Sequence, residues 1–200
     1  MSVSQDARAA DPAMAEAIRA VLAGNNDEFA VIVRKYQNAV LTLITVILRD
    51  RQAAIEVTQD VFVRAWQRLK SFDQARPIKP WLLGIACNAA ADYRQAQAGR
   101  IRRERQLTDC PGPAPLQENP LDALIRDERS RLLWKLIAVL APGEQVAVVL
   151  FYREGLSVDQ VAQILEVSPG TVKTSLFRAR QHLRTMIGEH GTTYLESSSP

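Results

Sequence analysis

Residues 156–184 read LSVDQVAQILEVSPGTVKTSLFRARQHLR, and few folds accommodate such a run. Ser157 with Gln160 three residues on has the form of a capping box, in which side chains satisfy two orphan backbone N–H groups. Val158, Val161, Ala162 and Leu165 then give a first helix an apolar face. Glu166 and Val167 leave room only for a short turn. Ser168 supplies a second cap, and Pro169 suits the first helical position, where its missing N–H costs nothing. From there Val172, Leu176, Ala179, Leu183 and Ile187 fall on one stripe that must be buried. With successive side chains about 100° apart, the opposite face carries Thr171, Thr174, Arg178, Gln181 and Thr185. Phe177 flanks that face, and Lys173, Arg180 and Arg184 lie at its edges.

A helix-turn-helix uses such a face to enter the DNA major groove with the N-terminal half of its second helix. Arg178 has the reach and donor fork for guanine edges, and Lys173 reaches phosphate or guanine. Thr171, Thr174 and the backbone N–H groups at the helix start suit phosphate. The competing reading is a helical hairpin whose polar face is merely solvated. Charge alone favours that hairpin, whereas the paired caps and the tight turn favour DNA.

The charge pattern extends the argument. The net charge of this 200-residue chain is only +3, so position matters more than the total. Arg94, Arg100, Arg102, Arg103 and Arg105 cluster against one nearby acid, Glu104. Asp109, Glu118, Asp122, Asp127 and Glu128 form an acidic stretch, and Arg178, Arg180 and Arg184 form a second basic group. Two basic zones separated by an acidic connector suggest two contacts with a polyanion. The longest apolar run, residues 39–48, is too short to span a bilayer, and no signal peptide is evident. Cys87 and Cys110 make no CxxC motif, so free cytosolic thiols are expected. His182 and His190 lack companion ligands at useful spacing, so neither a metal nor a cofactor is expected.

The periodicity predicts an all-α chain. Residues 1–12 read as a polar arm. Helices are expected over 13–23, over 27–48 with Asp27 as cap, over about 53–69, and over about 80–94, fraying into the arginine cluster. Ile55, Val57, Val61, Phe62, Ala65, Trp66 and Leu69 are candidate core residues of the third. Four helices with short connections make a bundle. Residues 108–120 hold four prolines and a glycine, the mark of a linker. A second domain begins near Leu121, with a helix carrying Leu124, Ile125, Leu132, Leu133, Leu136 and Leu140. A short apolar helix over 143–152 and the hairpin follow. Gly188 and Gly191 are expected to end the last helix before a polar tail.

In this order the segments resemble a sigma factor of bacterial RNA polymerase, sigma-70 family, of the extracytoplasmic-function (ECF) group. GNNDEFAVIVRKYQ (24–37), IEVTQDVFVRAWQRL with RPIKPWLLGIACNAAAD (55–92), and GTVKTSLFRARQHLR (170–184) carry the match. The resemblance implies two helical domains joined by a flexible linker. Residues 13–98 would form sigma region 2, 99–120 the linker, 121–190 sigma region 4 and 191–200 a tail. It implies a cytoplasmic, non-enzymatic transcription initiation factor that binds core polymerase and recognises the −35 and −10 promoter elements.

Site residues follow position by position from the resemblance. Glu56, Gln59, Asp60 and Arg64 would contact the clamp helices of the largest polymerase subunit, and region 4 the flap of the second largest. The Asp73–Lys79 loop, with Arg76, and Asn88 on the next helix would capture an unstacked −10 base, whose edge an amide can read as both donor and acceptor. Arg94 would follow phosphates nearby. Phe72 and Trp81 suit either base stacking or the core. Lys173, Thr174, Phe177 and Arg178 match −35-reading positions, and Thr171 and Gln181 complete that face. The acidic connector would thread towards the active-site and RNA-exit channel. An anti-sigma partner is expected; membrane insertion is not. The sequence departs from the family at Ile55–Glu56–Val57, usually an acidic pair with leucine, and at Thr174–Ser175, often more basic. The alternative is a DNA-binding helix-turn-helix regulator that is not a polymerase subunit. That reading calls for an alternating α/β receiver domain, which the helical N-terminal half lacks.

Overall fold

A computed structural model describes residues 11–107, 134 and 136–196, with side chains over 11–100, 134 and 136–186. Every regular element among the described residues is helical. The chain divides into two compact units, Met1–Pro120 and Leu121–Pro200.

In the first unit α1 spans Pro12–Leu22. Asp11, expected in a loose arm, caps it by accepting from the Ala13 N–H at 3.1 Å. The same carboxylate pairs with Lys35 of the next helix, which holds it below the usual carboxylate range. One residue thus starts α1 and ties it to its neighbour. α2 spans Phe29–Leu48. Asp27 is not its cap: Asn26–Glu28 forms a 3₁₀ turn that leads straight into the helix. α2 ends where Arg49 adopts a left-handed φ of 55°, and Asp50 caps α3, Arg51–Arg68, by accepting from the Ala53 N–H at 3.0 Å. With its 3₁₀ turn, α2 is long and apolar enough to cross a bilayer by length and composition. In this fold Ile32, Val40, Leu43 and Ile44 are instead fully buried, and α2 packs on α1, α3 and α4. Thr45 stays in this core because its hydroxyl donates to the Leu41 carbonyl at 2.7 Å, so that hydroxyl is not left unpaired.

α4 runs over Ile78–Leu107, well beyond the expected end near Arg94 and into the segment read as linker. The stretch QAQAGRIRRERQL holds no proline and is rich in helix formers, so nothing local stops it. Leu82, Leu83, Ala86 and Ala90 bury one side of α4 with Ala54 and Val61 of α3. Phe72 is buried against Trp81, ring centroids 4.9 Å apart, which assigns Phe72 to packing. Trp66 departs from expectation: it is 37% exposed, edge-on to Phe29 at 5.0 Å, rather than buried at the back of α3. Burial pushes the Cys87 thiol up to about 12, as suits a packing residue.

In the second unit α5, Pro142–Val148, passes into one π turn over Val149–Arg153. The buried Gln145 amide donates to the Ala138 and Leu140 carbonyls at 2.9 and 2.8 Å, closing the end of the preceding helix. α6, Val158–Leu165, opens on the expected capping box: Ser157 accepts from the Gln160 N–H at 3.2 Å, and Gln160 returns the bond at 2.9 Å. α6 buries Val161, Ala162 and Ile164, while Val158 and Leu165 are only half-buried. Its end is left-handed at Glu166, φ 54°, and the Val167 N–H reaches back to the Ala162 carbonyl. This Schellman-type closure is the tight turn inferred from the sequence. α7 then runs over Pro169–Glu196, through Gly188 and Gly191. Each interior glycine costs about 1 kcal/mol, which does not stop a helix without a proline or a new cap. The arm over residues 1–10, Cys110, and the acidic residues Asp109, Glu118, Asp122, Asp127 and Glu128 lie outside the described residues.

Candidate nucleic-acid interface

α7 is oriented by three apolar anchors. Val172, Leu176 and Ala179 are buried against α5 and α6. Their spacing fixes which face turns outward, and Thr171, Thr174, Arg178, Gln181 and Thr185 are all exposed there. Lys173 is exposed at one edge, and Phe177 presents 57% of its surface to solvent. An aromatic ring this exposed contributes nothing to the core, so it is available to a partner.

The start of α7 is built for an anion. Ser168 caps it by accepting from the Thr171 N–H at 3.1 Å and shares a hydroxyl contact with Thr171 at 2.9 Å. Pro169 has no N–H to satisfy. The Thr174 hydroxyl donates to the Gly170 carbonyl at 2.9 Å, so its lone pairs face outward. Positive helix-end potential and capped polar side chains therefore coincide on the open face.

The cations of α7 divide into two kinds. Lys173, Arg178 and Arg184 have no intramolecular partner among the described residues. Arg180 is held: its Nε donates to the Tyr152 hydroxyl at 2.7 Å. Tyr152 sits on the π turn and is half exposed. This contact has no local signature in the sequence, because the two residues lie 28 positions apart on separate elements that only packing brings together. His182 is also engaged, its Nδ1 lying 3.0 Å from Glu144 Oε2, and the same oxygen accepts from the Ala141 N–H at 3.3 Å.

In the first unit Asn88 is exposed on α4 and its amide has no partner among the described residues. It does not bond backbone within the helix, the structural role an asparagine there would otherwise fill. Arg94 lies further along α4, exposed and likewise unpaired. In the preceding loop Asp73 and Arg76 engage each other, Arg76 Nε lying 3.2 Å from Asp73 Oδ2, while Asp73 Oδ1 accepts from the Ala75 N–H. Lys79, half-buried, begins α4. Glu56 and Gln59 are exposed on α3 beside Val63 and Trp66. Asp60 and Arg64 are drawn into a bridge to α4 through Asp92. Among the described residues no cluster of three metal-ligating side chains occurs.

Residues 32–100 match the family model described as Sigma-70 region 2, and residues 130–183 match Sigma-70, region 4. The chain is 31% identical over 171 residues to the RNA polymerase sigma-H factor of Pseudomonas aeruginosa, covering 82% of this chain and 88% of that one. It is 29% identical over 182 residues to a probable RNA polymerase sigma factor, RfaY, of Xanthomonas campestris pv. campestris, and spans 45% of that relative's length. It is 28% identical to the ECF RNA polymerase sigma factor SigW of Bacillus subtilis, covering 85% of this chain and 94% of that one. Among solved structures, the sigma factor RpoE of Bartonella quintana, bound to the anti-sigma factor NepR, superposes with a TM-score of 0.58. That match has 21% identity and covers 80% of this chain and 97% of that one. CnrH bound to the cytosolic domain of CnrY gives a TM-score of 0.59 at 23% identity, covering 94% and 99%.

Proposed function

This chain belongs to the sigma-70 family of RNA polymerase sigma factors, in its ECF group, and from that premise we propose that it binds core RNA polymerase and directs promoter-specific initiation. The observation that carries the reading is the outward face of α7, where Thr171, Thr174, Phe177, Arg178 and Gln181 stand exposed and Lys173 and Arg178 have no partner among the described residues. A face so equipped reads duplex DNA in the major groove, and the match to region 4 supports the −35 element as its target.

Asn88, whose amide has no partner among the described residues, reads an unstacked base of the −10 element. Asp73, Arg76 and Lys79 shape the entrance, and Arg94 follows the phosphates. Polymerase contact falls to the exposed face of α3 around Glu56 and Gln59, against the clamp helices of the largest subunit, while region 4 meets the flap of the second. Region 2 occupies about residues 13–98 and region 4 about 121–190. An anti-sigma factor that covers these faces completes the set of partners, by analogy with the RpoE structure, which holds the anti-sigma factor NepR. No step of this mechanism is catalytic: binding energy is spent on polymerase contact, duplex readout and base capture. The protein acts where the nucleoid is, in the cytoplasm.

Transcription in vitro with purified core polymerase and a randomised promoter library tests the proposal. Selective initiation at promoters sharing two elements at a fixed spacing is expected. A chain that bound DNA selectively yet neither bound core nor promoted initiation would instead be a free-standing regulator.

A further inference from the structure

Arg64 is the most heavily engaged cation among the described residues of the first unit. From α3 its Nε lies 2.7 Å from Asp60 Oδ2, and its Nη1 donates to Asp92 Oδ2 on α4 at 2.5 Å. Its side chain is 28% exposed, and the Asp92 bond raises its already high pKa further. Two of its five N–H donors and its charge are thereby committed to carboxylates of its own unit, which fixes its direction. The role that resemblance assigns to Arg64, direct polymerase contact, therefore fits its surroundings poorly.

The bridge has a specific location. Asp92 lies one turn after Asn88 on α4, and i, i+4 residues share a helix face. Asp60 adjoins Gln59 on α3. The buried residues of α4 around Asn88 are Ile85 and three alanines, Ala86, Ala89 and Ala90. The alanines offer only short ridges to a facing helix, so beyond Ile85 packing resists rotation less. A charged tie that crosses the two helices at this level adds a directional restraint to that packing. We propose that Arg64 is a positioning residue, which through Asp92 fixes the rotation and height of Asn88 relative to the polymerase-facing surface of α3.

This rests on the reading of Asn88 as the −10 base reader. Its consequence is that Arg64 and Asp92 act as one unit on base capture and leave polymerase affinity alone. The test uses the full chain, purified core polymerase and a promoter with 2-aminopurine at the flipped −10 position. Core affinity and promoter opening at saturating core are measured separately. Arg64→Ala and Asp92→Ala are each expected to lower opening about fivefold, the scale of a partly exposed, charge-assisted contact, with core affinity held within about twofold. The double variant is expected to be no worse than either single one. The exchanged pair, Arg64→Asp with Asp92→Arg, made with Asp60→Asn so that no like charge adjoins the new carboxylate, is expected to restore opening to within about twofold, a rescue that a merely misfolded chain does not show.

Loss of core affinity in Arg64→Ala but not in Asp92→Ala overturns the proposal and returns Arg64 to the polymerase interface. Additive losses, or failure of the exchanged pair, also overturn it. If the unsubstituted chain opens no promoter, the functional reading itself fails, a result distinguishable from loss of coupling in a chain that does.

Discussion

The Nε of Arg180 donates to the hydroxyl of Tyr152 at 2.7 Å, and the guanidinium carbon lies 6.0 Å from the centre of the tyrosine ring. A residue of α7 is thereby braced by the π turn that precedes the helix-turn-helix. The brace consumes one N–H of the guanidinium and leaves its terminal nitrogens out of that bond. It also distinguishes Arg180 from Arg178, which has no such brace among the described residues.

Tyr152→Phe keeps the ring and removes only the acceptor. Binding to −35 duplex is expected to weaken about threefold, the scale of one net hydrogen bond, equally for all sequences. The slope of log affinity against log salt is expected to hold, because no phosphate contact is removed. Arg180→Ala is expected to lower that slope by about 0.9, the signature of one lost phosphate contact. Fluorescence anisotropy across a salt series checks both, and a sequence-dependent loss in either variant would place the pair among the base readers.

Arg178→Ala is expected to cost about 1–3 kcal/mol of binding to the preferred −35 sequence and to relax preference at one base pair. Asn88→Ala is expected to change preference at one −10 base with core affinity intact. Selection from a randomised promoter library reads both. Should the two variants retain the parent preference, the site assignments are wrong even for a sigma factor.

The turn of the hairpin stores a small strain. Glu166 holds φ 54°, a region costly for any residue with a Cβ. Glu166→Gly trades that strain against greater unfolded-state entropy, for a net gain of about 0.5 kcal/mol. The second unit is expected to melt about 2–4 °C higher with DNA preference unchanged. Ser157→Ala removes the cap bond to Gln160 and is expected to cost about 1 kcal/mol. Calorimetry decides the sign of each.

Cys87 gives a pH signature. Burial raises its pKa from 9.0 to about 12, so the folded state favours the neutral thiol. Stability from this group is complete below the unfolded value near 9 and is lost as pH rises towards 12, because the unfolded chain gains by ionising first. In a Cys110→Ser background, iodoacetamide is expected to modify Cys87 far more slowly in the native chain at pH 8 than in denaturant. Equal rates would show an accessible thiol.

Much of this was legible in particular residues. The Ser157–Gln160 box, the Ser168 cap and the stripe Val172, Leu176 and Ala179 all rest on contacts within a few positions, and each is present as read. Exposure of Phe177 followed from the same periodicity. The misreadings have two causes. By composition Gly188, Gly191 and the arginine-rich end of α4 read as stops, yet a helix already propagating carries on through weak formers when no competing cap or proline intervenes. Trp66, Val158 and Leu165 were assigned to the core by apolar character alone, but their burial depends on which neighbour arrives. Ile164, not Leu165, meets the rest of its unit.

The sequence by itself determined the helices, their caps, the order of the motifs and the face of α7 that meets solvent, because those properties follow from chemistry repeated every three or four residues. Only the tertiary structure decided which charged groups remain available. Arg64 is engaged by Asp60 and Asp92, Arg180 by Tyr152 and His182 by Glu144, while Asn88 and Arg178 have no partner among the described residues. Pairings across 28 or 38 positions have no local signature. They exist because packed helices bring distant side chains within hydrogen-bond reach.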